Sequence, residues 1–146
     1  MIAERVIMNT GKLILGKYQI VPKTNIDILK MDEFNVINVN GGKVFIAKEP
    51  MQFCGALFWT NIYSEDSIIT KIELSNADEK YRINYHTMNN ALVEELRNEN
   101  NRFLFDVLGN PTVTSIMGVE YDYCWGKILS FFDNKSAEAG IVIEYI

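Results

Sequence analysis

Residues 36–47 read VINVNGGKVFIA, and this stretch decides the fold because two runs rich in β-branched residues flank a pair of glycines. Such a pattern is typical of an antiparallel hairpin with a two-residue turn. The preferred register has its turn at Gly41-Gly42 and pairs Val39 with Val44, which gathers the β-branched residues on one face. A turn at Asn40-Gly41 is the alternative, but it leaves the apolar faces less coherent.

The next stretch extends this hairpin into a sheet. Residues 52–63 read QFCGALFWTNIY and carry apolar residues on both faces of an extended chain, as expected for a central strand. Within that strand, Trp59 and Tyr63 belong either to the core or to a binding surface, and the core is favoured. A turn at residues 64–66 and alternation over residues 68–74 predict a further, half-buried strand. The middle of the chain is therefore predicted to be an antiparallel meander.

A long helix is predicted after the meander. The apolar residues of segment 89–108 recur with a helical period, and Gly109 followed by Pro111 is a strong stop signal. Strands resume after the helix, and the last two are expected to form a hairpin. The predicted strands cover residues 112–117, 121–132 and 141–145.

Two features are predicted ahead of the meander. Residues 6–8 and 13–15 flank a Gly-containing turn as a hairpin or as a pair of extended segments, and Thr24 caps a short helix after Pro22. Strands, one helix and then more strands favour the α+β class. We therefore expect one globular domain over residues 1–146, in which an antiparallel sheet packs against one long helix and a short N-terminal helix.

Composition limits the class of protein. Of the 146 residues, 48% are hydrophobic and 23% are charged, which is typical of a single compact domain. No apolar run approaches the roughly 18 residues that a membrane span needs, and the first residues do not match a secretory signal. These features predict a cytosolic protein that does not bind membranes.

The negative charge is unevenly distributed. Residues 94–146 contain nine acidic and four basic side chains, so they account for the whole formal charge of -5. An acidic surface repels phosphate backbones and attracts basic proteins, so nucleic-acid binding is disfavoured. The alternative interpretation is that this acidity only aids solubility.

The sequence contains few side chains suited to nucleophilic or metal-dependent catalysis. A nucleophilic site needs Cys54 or Cys124 close to the only histidine, His86, and to a carboxylate. Both cysteines have apolar or aromatic neighbours, which is typical of buried, reduced thiols. One His and two distant Cys offer no zinc-binding spacing either. We therefore favour a protein without catalytic activity, cofactor or metal.

The most informative local feature is the stretch EYDYCW at residues 120–125. Alternation places its three aromatic residues on one face, where they form either core or a binding surface, because Tyr and Trp dominate protein interfaces. The candidate partner-binding residues are Glu120, Tyr121, Asp122, Tyr123, Trp125 and Asp133. The three carboxylates are also candidates for a Mg²⁺ or Ca²⁺ site, but solvated carboxylates at a strand edge explain them better.

Several short motifs lie in residues 104–146: LGNP closes the helix, Trp125-Gly126 follows Tyr123, and an IVIEY strand ends the segment after Asp133. In these motifs the segment resembles small bacterial proteins of unassigned function. Some comparably small, acidic α+β proteins are immunity proteins that neutralise a toxin of the same or a competing cell. The resemblance therefore implies an immunity-type function, but it assigns a role to no residue.

Three functions are weighed. We favour a non-catalytic cytosolic protein that binds a basic protein partner through the acidic, aromatic surface near residues 120–133. The second hypothesis is a small enzyme or ligand-binding domain with an aromatic-lined pocket near His86. The third is a homo-oligomeric structural subunit that self-associates through an exposed strand edge such as residues 141–145.

Overall fold

The computed structural model describes residues 2–81, 90–133 and 138–146. The helices are α1 (Ile2–Thr10) and α2 (Asn90–Leu108), and short 3₁₀ turns lie at Ile26–Ile28, Met31–Glu33 and Glu79–Tyr81. The strands are β1 (Leu13–Leu15), β2 (Tyr18–Ile20), β3 (Phe34–Val39), β4 (Gly42–Ala47), β5 (Met51–Phe53), β6 (Ala56–Glu65), β7 (Ile68–Asn76), β8 (Val113–Ser115), β9 (Gly118–Tyr123), β10 (Gly126–Asp133) and β11 (Glu138–Tyr145).

Nine of these strands form one antiparallel sheet, which confirms the predicted α+β class. The strand order is β3-β4-β6-β7-β11-β10-β9-β8, and β5 pairs with β6. The predicted C-terminal hairpin is confirmed as β10 and β11. Residues 141–145 are not an exposed edge, however, because β11 pairs with β7 on one side and with β10 on the other.

Helix α2 follows the predicted helical period. Its buried positions include Val93, Leu96 and Leu104, and it packs against β9, β10 and β11. The predicted stop is confirmed, because Gly109 adopts φ +81° and its N–H donates to the Phe105 carbonyl over 2.9 Å. Neither α2 nor another helix in the three described ranges is long and apolar enough to cross a bilayer.

The β3–β4 hairpin has the alternative register, so the preferred one is wrong. Its turn is Asn40-Gly41, and Val39 pairs with Gly42. Only the second central residue of this turn has a positive φ, +79° at Gly41, and glycine is favoured at such a position because it lacks a Cβ. Gly42 is needed for another reason: a Cβ there would lie 1.7 Å from the Ser64 carbonyl oxygen of β6. The second glycine therefore reflects close strand packing, not the turn.

Two predicted continuous strands are each divided by a tight turn. Residues 52–63 form β5 and β6 around Cys54-Gly55, both at positive φ. Residues 121–132 likewise bend at Cys124-Trp125 between β9 and β10. Gly55 is a typical turn residue whose signal the apolar alternation of residues 52–63 outweighed, whereas Cys124-Trp125 contains no typical turn residue. The central position predicted for the strand is confirmed for β6, which lies between β4 and β7.

The N-terminal part also differs from the prediction. Residues 6–8 belong to α1, and the hairpin is instead formed by β1 and β2. The predicted short helix after Pro22 consists of two 3₁₀ turns. Asn25 caps the first of them by accepting a hydrogen bond from the Asp27 N–H, whereas the Thr24 hydroxyl bonds the backbone of Val21.

The core lies on one face of the sheet. Fully buried side chains stand directly opposite one another across five strands, and α2 and the β1–β2 hairpin add further apolar residues on this side. The row consists of Phe45, Ile62, Ile72, Ile143 and Ile128. Since side chains alternate along a strand, this row also identifies the residues that point to the opposite face.

Candidate binding surface

The opposite face of the nine-stranded sheet is called the open face here. A row across it joins Asp122, Lys127, Glu144, Lys71 and Tyr63, which stand opposite one another on β9, β10, β11, β7 and β6. Helix α2 and the β1–β2 hairpin pack on the core side, and no element within the described ranges packs against the open face. Within this row Asp122 is exposed and the other four side chains are half-buried.

The open face is strongly acidic. The strands direct seven carboxylates and two lysines towards it, a formal charge of -5 that equals the charge of the entire chain. The rest of the protein is consequently neutral in formal charge. The carboxylates are Glu65, Glu73, Glu120, Asp122, Asp133, Glu138 and Glu144, and the lysines are Lys71 and Lys127.

The predicted acidic residues lie on this face. Glu120 and Asp122 are neighbours on β9, and a hydrogen bond with Asp122, desolvation and the Asp122 charge together raise the pKa of Glu120. Lys127 Nζ lies 3.9 Å from Glu120 and 4.0 Å from Glu144, so one lysine offsets several carboxylates. Asp133 points to the same side of the sheet. It lies four residues beyond Leu129, the β10 residue that pairs with Glu120, and therefore about 13 Å further along the strand.

The predicted aromatic residues are placed differently. Tyr121 and Trp125 are only 2% and 8% exposed, so they belong to the core and offer no contact to a partner. The Tyr121 hydroxyl donates to the Gly109 carbonyl over 2.7 Å, and Trp125 Nε1 donates to the Ile7 carbonyl over 2.8 Å. Tyr123 is half-buried and stacks on Trp125, with ring centroids 5.3 Å apart. The partner-binding assignment of Tyr121 and Trp125 is corrected accordingly.

Other aromatic side chains occupy the open face. Trp59 is 46% exposed, which overturns its assignment to the core. Tyr63 is half-buried, lies under Lys71 Nζ at 4.1 Å from the ring centroid, and donates a short hydrogen bond to Glu73. Phe131 of β10 covers Gly140, where a Cβ would lie 2.9 Å from its ring. Acidic and aromatic side chains are thus combined here, as the sequence predicts, but with different aromatic residues.

These residues were detectable by alternation once the turns were placed. Trp59 and Tyr63 share the parity of Asn61, whereas Phe58 and Ile62 point to the core. Treating residues 52–63 as one strand hides this difference, because the Cys54-Gly55 turn separates Phe53 from the strand that follows it.

The contact between Tyr63 and Glu73 predicts a dependence of stability on alkaline pH. Desolvation and the Glu73 carboxylate raise the pKa of Tyr63 to about 12, from an ordinary value of 10.0. Its protonated form therefore stabilises the fold below pH ~10, and this contribution is lost as the pH rises towards ~12. In urea unfolding, Tyr63→Phe should lose less stability across this interval than the wild-type protein does. Equal losses in both proteins would contradict the prediction.

The thiols considered for catalysis lie in a different setting from the predicted one. Cys54 and Cys124 are exposed in turns, not buried as predicted. Desolvation of the thiol nevertheless raises the pKa of Cys54, which favours the unreactive thiol form. His86 lies outside the described residues, and so does the pocket predicted around it. The described residues contain no group of three or more His, Cys, Asp or Glu that could hold a metal ion.

Comparison of the chain with protein-family models, with curated proteins and with solved structures found no match. The residues and their geometry therefore carry the functional argument.

Proposed function

We propose that this chain is a non-catalytic cytosolic protein that binds a basic protein partner on its open face, as an immunity-type inhibitor of a bacterial toxin would. The observation that carries the proposal is that the open face holds seven carboxylates, two lysines and the side chains of Trp59, Tyr63 and Phe131. Concentrating the full charge of -5 on one face is not needed for solubility, which scattered charges serve equally well.

The size of the open face suits a protein partner. Eight strands follow one another across the sheet. With strands about 4.8 Å apart and roughly 20 Å of strand length, the face covers roughly 700 Å². A standard protein interface buries about 800 Å² on each side. The open face can therefore supply most of a stable interface without a deep pocket.

The arrangement divides recognition between two kinds of side chain. Trp59 is the largest exposed aromatic residue of the face and would enter the buried centre of an interface. Carboxylates such as Glu120 and Asp122 would steer a basic partner and set its orientation, because complementary fields speed encounter more than they strengthen the final complex. Glu120 and Asp122 are neighbours on β9, and this proximity raises the pKa of Glu120 and concentrates negative charge at this end of the face.

The partner can be identified by photo-crosslinking from two positions. A photoreactive residue at Trp59 should capture a basic protein in lysate of the native host. The same residue at Phe105, which is also exposed but lies on α2, is the matched control. Equal capture from both positions would show that the open face is not a specific surface.

Charge reversal on the open face should slow association with the captured partner. The double variant Glu120→Lys, Asp122→Lys is expected to lower the association rate constant about tenfold or more at low salt, and less at high salt. The control is Glu94→Lys, Asp106→Lys on α2, which changes the net charge equally at exposed positions. If the helix variant slows association as much, total charge is responsible, and the proposal fails.

A further inference from the structure

Strand β3 forms one edge of the nine-stranded sheet. The Lys48 N–H donates to the Glu33 carbonyl over 3.0 Å, so residues 33 and 48 continue the ladder as a hydrogen-bonded pair. Backbone groups alternate along a strand, so Asn35, Ile37 and Val39 bond to β4. The N–H and C=O groups of Val36 and Asn38 and the C=O group of Phe34 consequently point outward, whereas the Phe34 N–H donates to the Met31 carbonyl of the preceding 3₁₀ turn.

Features that normally protect an edge strand are missing from β3. Its sequence, FNVINV, contains no charge and no Pro, and its register with β4 is continuous without a bulge. Ile37 and Val39 are 51% and 46% exposed. The other edge, β8, has only three residues and offers little to pair with. Native proteins usually block exposed edges with charge, Pro, bulges or short strands, so an open edge of six residues indicates pairing.

We propose that β3 pairs with β3 of a second copy of this chain, in antiparallel orientation about a twofold axis at Val36. This register places Val36 opposite its counterpart and Phe34 opposite Asn38 of the second copy. Each copy then donates two hydrogen bonds across the axis, from the Val36 N–H to the Val36 carbonyl and from the Asn38 N–H to the Phe34 carbonyl of the second copy. The two sheets become continuous.

Charge does not oppose this pairing. The open-face residues of β3 and β4 are all uncharged, so four strands without charge on this face, about 19 Å of sheet, separate the acidic surfaces of the two copies. That distance exceeds the Debye length of about 8 Å at physiological salt. At the start of β3, Glu33 is paired with Lys17 over 2.7 Å. Asp32 lies before β3, in the 3₁₀ turn Met31–Glu33, and is not part of the paired register.

A second copy fits this edge better than a strand of another protein. Binding of a foreign strand would leave the edge uncovered whenever that partner is absent, whereas the twofold register covers it at all times. The register also brings no charges together on the open face, because Ile37 of one copy lies beside Asn35 of the other. The dimer carries two separate open faces, so it is compatible with the proposed function.

The mass in solution tests this pairing. Sedimentation equilibrium should give twice the chain mass of 16.8 kDa for the wild-type protein. Asn38→Pro removes an outward N–H that β4 does not use, and it should give the monomer mass with retained far-UV circular dichroism. Ile37→Lys should do the same through like-charge repulsion across the axis, and Ile37→Thr, which adds no charge, is the matched control and should remain dimeric.

Hydrogen exchange gives a residue-level readout. The Val36 and Asn38 amides should exchange slowly in the wild-type protein, and the Val36 amide should exchange fast in Ile37→Lys. A wild-type monomer at the highest soluble concentration, or dimers of unchanged mass in both Asn38→Pro and Ile37→Lys, would overturn the pairing. A mixed complex with another protein at this edge would also overturn it. Glu120→Lys, Asp122→Lys should leave the mass unchanged, which separates this inference from the proposed function.

Discussion

Trp125→Ala is expected to lower the free energy of unfolding by about 3–5 kcal/mol, the range for removing a large buried aromatic side chain. Trp125 lies where the end of α1 meets the sheet. Its Nε1 donates to the Ile7 and Met8 carbonyls over 2.8 and 3.2 Å, which satisfies acceptors of the last helical turn. Its ring contacts Tyr145, whose hydroxyl donates to the Gly11 carbonyl. Urea denaturation would measure the loss.

Trp125→Phe is the control that separates packing from hydrogen bonding. It keeps an aromatic ring but removes the N–H donor, so it should cost only about 1–2 kcal/mol, clearly less than Trp125→Ala. The experiment also distinguishes the core from the interface interpretation of Trp125. If Trp125→Ala unfolds at the wild-type urea midpoint but no longer binds the partner, Trp125 is an interface residue and its placement in the core is wrong.

Gly126→Ala is expected to destabilise the fold by more than about 3 kcal/mol, which places it among the most damaging single substitutions. Gly126 begins β10 at φ +153°, a region that other residues rarely adopt. A Cβ at this position would lie 2.0 Å from the Glu144 carbonyl oxygen and 3.0 Å from Tyr145 Cα. Both atoms belong to the backbone of β11, so relief requires the two strands to separate.

Gly41→Ala is the matched control for Gly126→Ala. Gly41 also has a positive φ, +79°, but nothing lies within 4 Å of an added Cβ. Its replacement should cost about 1–2 kcal/mol from backbone strain alone. The difference between the urea-derived free energies of the two variants therefore reports the clash with β11. Equal losses would mean that β10 and β11 approach each other less closely than described.

Helix α2 and the antiparallel class were accessible from sequence because several local signals agree. The apolar period of α2 runs for five turns, and Gly109 and Pro111 both end it. The β3–β4 register is harder to predict from the sequence. The preferred register groups apolar side chains on one face and gives less weight to the turn preference of Asn-Gly. Ile37 and Val39 are exposed in the structure, so burial holds no information about register at this edge.

The sequence predicts that the candidate surface is acidic, but it does not predict which aromatic side chains lie on it. The acidic character of Glu120 and Asp122 is independent of strand boundaries, and both residues lie on the open face. Which aromatic side chains join them depends on strand parity, and the turn at Cys124-Trp125 ends the strand before Trp125. Tyr121 pairs with the core residue Ile128, and Tyr123 lies two residues further along the same strand. Both side chains therefore point to the core face, so their burial follows from the register alone.

The insertion of β11 between β7 and β10 has a consequence for biosynthesis. Strand β7 can complete its pairing only after residues 138–145 have left the ribosomal exit tunnel, more than sixty residues behind it. Contacts this distant along the chain form slowly, because a large loop must close first. Until then the edge of β7 lacks its β11 partner and can associate with other chains. Pairing with β11 removes this exposed edge.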